Sequence, residues 1–203
     1  MDGFDVKDLR VYGLDESVVA SGFPMMLKAK ELNEGSNKDY IRAKKLAGVP
    51  IGSGHDNFLN GIIVQMTLTL PEKVWPEMQR YHFLDFVSSC STVHAAAKIV
   101  DMPAEEKAGM FDRYTSGAAI DVMEILAQHY KEQPTEENRM RLLMSIPSGL
   151  MLGARVTTNY RQLKTIYWQR KDHPIYVWRN LCQWMEEELP MFKKLCCERE
   201  GKA

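Results

Sequence analysis

The sequence has no apolar run approaching the roughly 20 residues that a membrane-spanning helix needs, so no part of it is expected to enter a bilayer. Cysteine is scarce: four residues in 203, Cys90, Cys182, Cys196 and Cys197, with no C-x-x-C among them. That excludes a disulfide framework and a closed zinc site. Cys90 and His94 could face each other across one helical turn, but two ligands do not make a metal centre, and none is expected. A dominant charge is also lacking. The 26 Lys and Arg against 27 Asp and Glu leave a net charge of −1, which offers no broad attraction to nucleic acid or to an anionic membrane. The G-x-S-x-G elbow, S-x-x-K, H-E-x-x-H and the P-loop are all missing, and residue order alone identifies no Ser-His-Asp or Cys-His nucleophile. The opening MDGFDVKDLR is acidic and mixed, unlike a signal peptide. Repeats, low-complexity tracts and linkers are absent. The expectation is a soluble, cytoplasmic protein with reduced thiols.

What is present is ordinary globular composition, 45% hydrophobic and 26% charged, in a length that suits one domain over residues 1–203. Residues 6–13 alternate enough for a short strand. Asp15-Glu16-Ser17 opens a helix that meets Gly22-Phe23-Pro24, and residues 28–38 are polar loop. Asp39 to Leu46 is a compact helix, and residues 48–54 form a turn. The clearest strand is Asn60 to Leu70, with Val64, Met66, Leu68 and Leu70 on one face and Gln65, Thr67 and Thr69 on the other. One apolar and one polar face suit an antiparallel sheet partly covered by helices. Helices follow at Pro71, over 91–100, over 103–110, and over Ser116 to Tyr130 with Ile120, Met123, Ile125 and Leu126 as its core face. Another spans Glu136 to Met144. Pro174 to Glu188 carries an aromatic face (Tyr176, Trp178, Leu181, Trp184, Met185) suited to packing or an oligomer interface. Residues 193–203 are a short charged tail, expected to fray. The fold class is α+β, a small, mostly antiparallel sheet packed with several helices.

The chain is organised around Pro147 to Arg179. A Pro-Ser-Gly turn leads in, and Thr157, Thr158 and Asn159 offer N-cap side chains for a helix running to Arg170. Asn159, Leu163, Ile166 and Arg170 fall on one stripe of that helix, and Arg161, Thr165 and Trp168 on another. Arg155, Arg161, Arg170 and Arg179 make a set suited to an anionic, planar ligand such as a pyrimidine nucleotide.

Pro147, then Asn159-x-Arg161-x-Leu163 twelve positions on, then Arg170 seven further, resembles the C-terminal half of the flavin-dependent thymidylate synthases. His173 and Arg179 match the family's next segment if one residue is missing here. The order of elements upstream agrees, so the similarity covers most of the chain. It implies a homotetramer with sites between subunits, acting on a dUMP-like deoxypyrimidine nucleotide. Reduced FAD would supply hydride and a reduced folate the one-carbon unit. By this resemblance Arg161 and Ser91 are the catalytic candidates, Arg161 lying against the pyrimidine ring. Arg161, Arg170, Arg179, Asn159 and Arg155 would bind substrate, and His82 and Asn159 the cofactor. The family signature, Arg-His-Arg, two residues, Ser, one, Asn-Glu, one, Ser, one, Arg, falls on residues 81–93. There only His82 and Ser91 match. Tyr81, Phe83 and Val93 replace the three arginines, and no residue of the stretch carries the lost positive charge. Two readings follow. One is a divergent thymidylate synthase-like enzyme. The other is a non-catalytic descendant that binds a nucleotide or a protein partner, with Phe83 and Phe86 filling the old cofactor space.

Overall fold

Strict alternation builds the centre of the protein. In β2 (Ile63–Pro71), Val64, Met66, Leu68 and Leu70 are buried while the intervening residues are half-buried. The same pattern recurs in β4 (Met151–Asn159), where Leu152, Ala154, Val156 and Thr158 point inward. In this computed structural model, which describes residues 3–29, 31–50 and 52–198, these two strands pair at the middle of a four-stranded sheet. Its order is β1-β2-β4-β3, with β1 (Asp5–Tyr12) and β3 (Leu84–Ser89) as edges. The architecture is the expected α+β one, an antiparallel sheet packed with helices.

In chain order the helices are α1 (Leu14–Ala20), α2 (Asn37–Ala47), the single-turn α3 (Trp75–Met78), α4 (Thr92–Lys98), α5 (Ala104–Gly109), α6 (Gly117–Glu132), α7 (Glu136–Met144), α8 (Tyr160–Arg170) and α9 (Tyr176–Glu188). Among the described residues no helix is long and apolar enough to cross a membrane. The chain resolves into two compact units, one of residues 3–7, 67–80 and 86–155 and one of residues 8–66, 81–85 and 156–198. In the first, α6 packs on α4 and α7. In the second, α8 packs on the 3-10 turn Asn57–Gly61, on α9 and on a closing π-helical turn, Lys193–Cys197.

Three expectations need amendment. β3 and β4 are strands that the pattern did not announce. β4 was hidden because Gly153, Thr157 and Asn159 read as turn and cap residues, and β3 because every residue after Leu84 is exposed, leaving no alternation to read. In α6 the buried residues are Met123 and Ala127, whereas Ile125 is 56% exposed. Lys193 to Cys197 does not fray: Leu195 and Cys196 are buried, and Trp168 Nε1 donates to the Cys196 carbonyl at 2.8 Å. Residues 199–203 lie outside the described residues.

Two local devices fix the second unit. Gly13, with φ +71°, turns β1 into α1, and a Cβ there would stand 2.6 Å from the Gly61 carbonyl oxygen. Gly13→Ala combines left-handed strain with that clash, so it should destabilise the protein by about 1–3 kcal/mol in urea unfolding. At the start of α2, Asp39 accepts hydrogen bonds from the Ser36 hydroxyl (2.5 Å) and backbone N–H (3.1 Å), and from Arg42 (2.7 Å). The Ser36 hydroxyl, followed by Arg42, holds the Asp39 carboxyl down at about 2, below its ordinary 3.8. A depressed carboxyl stabilises the fold above its unfolded pKa, and that contribution is lost as pH falls toward the folded value. Asp39→Asn should therefore remove a stability increment at pH 5–7 while converging on the wild type near pH 2, as read from thermal melts across that range.

Candidate functional site

The best-formed cluster of charge lies at the start of α8. Asn159 is buried, and its Oδ1 accepts the Gln162 N–H at 2.8 Å, so of the three N-cap candidates it is the one that caps the helix. Thr157 and Thr158 lie in β4, and Thr158 Oγ1 is buried with no hydrogen-bond partner among the described residues. In the first turn of α8, Arg161 sends its Nε to within 3.3 Å of Asp56 Oδ1. The approach is off the hydrogen-bonding direction, since Oδ1 remains without a bonded partner. One turn on, Lys164 donates to Asp56 Oδ2 at 2.8 Å and to the Ala47 carbonyl at 2.7 Å. The Asp56 and Lys164 side chains are only 1% and 4% exposed, whereas that of Arg161 is 32% exposed.

Two cations share one carboxylate here, leaving one positive charge in excess, and the helix N-terminus adds its own partial positive charge. Among the described residues the terminal guanidinium nitrogens of Arg161 make no hydrogen bond. The corner can therefore receive an anion or the polar edge of a planar ring through a guanidinium held in place from behind.

The other sequence-selected residues fall elsewhere. Arg170 is at the far end of α8, nine residues from Arg161, or about 13 Å along the axis at 1.5 Å per residue. Its guanidinium lies 4.6 Å from the Trp178 ring, its Nε donates to Tyr81 Oη at 2.9 Å, and NH1 is 2.9 Å from His173 Nε2. Arg179 donates to the His173 and Pro174 carbonyls at 2.6 and 2.9 Å. These two arginines meet around His173 and tie α8 to α9. Arg155 is half-buried on β4, its NH1 3.5 Å from Thr67 Oγ1. Ser91 is exposed and caps α4, accepting the His94 N–H at 3.5 Å. His82 is exposed in the turn before β3. Arg161 and Asn159 thus share one end of α8, and Arg170 and Arg179 the other.

Asp56 and Lys164 escaped sequence reasoning, which read residues 48–54 as a turn and gave Asp56, just beyond it, no role. One signal was available: Tyr160, Lys164 and Tyr167 fall on a single helical stripe, and all three are buried. A lysine between two tyrosines on a core stripe demands a buried acid. Removing Lys164 leaves the buried carboxylate with only the misaligned Arg161 and no hydrogen bond from either cation. Lys164→Met should cost about 3–5 kcal/mol in urea unfolding, and adding Asp56→Leu should return much of that loss.

No family model matches the chain, and no curated protein matches it in sequence. Solved structures do match it in fold. Two crystal structures of a flavin-dependent thymidylate synthase from Helicobacter pylori, each with FAD and dUMP, align with a TM-score of 0.75 at 14% and 13% identity. The alignments cover 94% of this chain and 96% and 95% of those chains. A UMP/dUMP methylase from Streptomyces cacaoi bound with 5-Br dUMP aligns at a TM-score of 0.63 and 14% identity, over 95% of this chain and 91% of that one. The fold of the chain is flavin-dependent thymidylate synthase-like.

Proposed function

We propose that this chain binds a deoxypyrimidine nucleotide of the dUMP type at the start of α8, and that it does so without the flavin site usual for its fold. The observation that carries the reading is Arg161, a partly exposed guanidinium buttressed by a buried carboxylate in the first helical turn. By the sequence resemblance this is the arginine that lies against the pyrimidine ring, where a fixed positive charge would favour electron density building on that ring. A uridylate-type nucleotide is also the ligand common to the three structural neighbours, while FAD accompanies two of them.

FAD brings a pyrophosphate, which needs cations or a cluster of free N–H donors. The stretch that would supply them, residues 81–93, contains no lysine or arginine. Phe83 and Val87 are 60% and 63% exposed there, and Ser91 is engaged as a helix cap. These residues do not fit the group, and we route no chemistry through a flavin or a folate. A homotetramer and a cytoplasmic location belong to the same proposal.

Calorimetric titration with dUMP tests it. Saturable binding near one per subunit is expected, weakened at least about tenfold in Arg161→Ala. Arg170→Ala should lower stability and leave the affinity nearly unchanged. No dUMP binding, or equal affinity in Arg161→Ala, would overturn the nucleotide site. A flavin absorption spectrum that saturates near one FAD per subunit would overturn the flavin-free half and restore the enzyme reading.

A further inference from the structure

A cavity of about 370 Å³ lies between α2 and the π-helical turn, in the size range of small-molecule sites. Its lining is mainly apolar, with Tyr40 and Ile41 from α2 and Met191 and Leu195 from the other wall. The wall is shaped by unusual backbone. Met191 takes φ +61°, and the π-helical turn follows directly; both are conformations that cost energy and concentrate at functional positions. Tyr40 is held by a hydrogen bond from its hydroxyl to Asp15 Oδ1 at 2.9 Å, so its ring is a fixed surface. Ile41, 52% exposed, adds an accessible aliphatic surface to the lining.

The cavity also has a charge. Lys44 and Lys194 line it, and Lys45 and Lys193 are their chain neighbours. Lys44 pairs with Glu198 at 2.5 Å and Lys193 with Glu186 at 3.3 Å. Among the described residues Lys194 has no ion-pair partner. Glu198 also attracts Lys194 through space without an ion pair to it, and an apolar floor beside this ammonium calls for a ligand with an apolar body and an anionic end, the cation meeting the head while the floor takes the body.

We propose that this cavity is a binding site for a small amphipathic anion, an aliphatic or aryl carboxylate, with Lys194 receiving the carboxylate and Ile41, Met191 and Leu195 the apolar body. The site stands apart from the start of α8 and does not depend on the nucleotide reading. Decanoate is the probe, titrated calorimetrically into the full chain below its micellar concentration, with decanol as the neutral comparison. Saturable binding of decanoate near one per subunit is expected, at least about tenfold tighter than decanol. Lys194→Glu should abolish that preference, and Ile41→Asp should abolish binding of both. Both side chains are exposed, so unchanged melting curves will show that the variants fold. No decanoate binding, equal binding of decanol, or equal binding in either variant would overturn the proposal. Binding of phosphatidylglycerol vesicles without binding of monomeric decanoate would also overturn it, and would assign the face to a membrane surface.

Discussion

The buried Asp56 carboxylate organises the second unit. It lies in the loop before the 3-10 turn at 57–61, and it is held by a lysine 108 residues away in sequence. Lys164 completes its own donor set on the last residue of α2, through the Ala47 carbonyl. One ammonium therefore joins three segments that share no local sequence relationship. With Arg161 and Lys164 three residues apart, one face of α8 must turn toward Asp56, which sets the rotation of the helix about its axis. The Asn159 cap sets where that helix begins. Start and rotation together decide which way the Arg161 guanidinium faces.

A buried ion pair is a poor source of net stability, because desolvation offsets most of the attraction. What it confers on this chain is definition of position. A leucine–methionine contact in the same place would tolerate a slide or rotation of α8 with little loss. A carboxylate with one oxygen on Lys164 does not. The second oxygen, Oδ1, is buried beside Arg161 Nε without a hydrogen bond. An unsatisfied buried acceptor is costly, and it biases the arginine toward the loop. The guanidinium is thus anchored at its inner edge while its outer nitrogens stay at the surface, an arrangement that lowers the entropy lost when a ligand arrives.

The elements legible in the sequence were those whose chemistry is local. β2 declared itself by period-two alternation with strong apolar residues, α8 by its cap and periodicity, and α6 and α7 by helical spacing between Ser116 and Met144. β4 has the same burial pattern as β2, yet it contains Gly153 and Ala154, which are depleted in strands, and its threonines stand beside Asn159, where they read as N-cap residues. β3 carries no burial alternation because every residue of this edge strand beyond Leu84 is exposed, although the Phe86 ring still meets Trp75 at 5.2 Å between centroids. For the site, Asn159 and Arg161 were found through a motif, but the group that holds Arg161 was not. Asp56 is an acid in a Gly-Ser loop until the fold brings Lys164 to it, and no window of local sequence contains both.

The far end of α8 accounts for the altered signature in physical terms. Tyr81 stands where the family resemblance places an arginine. Here its hydroxyl accepts from Arg170 Nε at 2.9 Å and donates to Gln169 Oε1 at 3.1 Å, while its ring meets Trp178 edge-on, with centroids 6.4 Å apart. An arginine at position 81 would set two guanidinium groups against each other at contact distance. The tyrosine turns that repulsion into a hydrogen bond, and Arg170 is then occupied by Tyr81, Trp178 and His173. Tyr81 and Arg170 are therefore coupled, and Arg170 serves as a structural clasp between α8 and α9. At the other end, Arg161 is held by Asp56, and its neighbour Gln162 accepts the Phe83 N–H at 3.4 Å, so the first turn of α8 also meets residues 81–93. Phe83 reaches that turn through a backbone N–H on Gln162 and leaves the Arg161 side chain to Asp56, so the guanidinium at the first turn keeps an exposed edge while Arg170 at the last turn is engaged in packing.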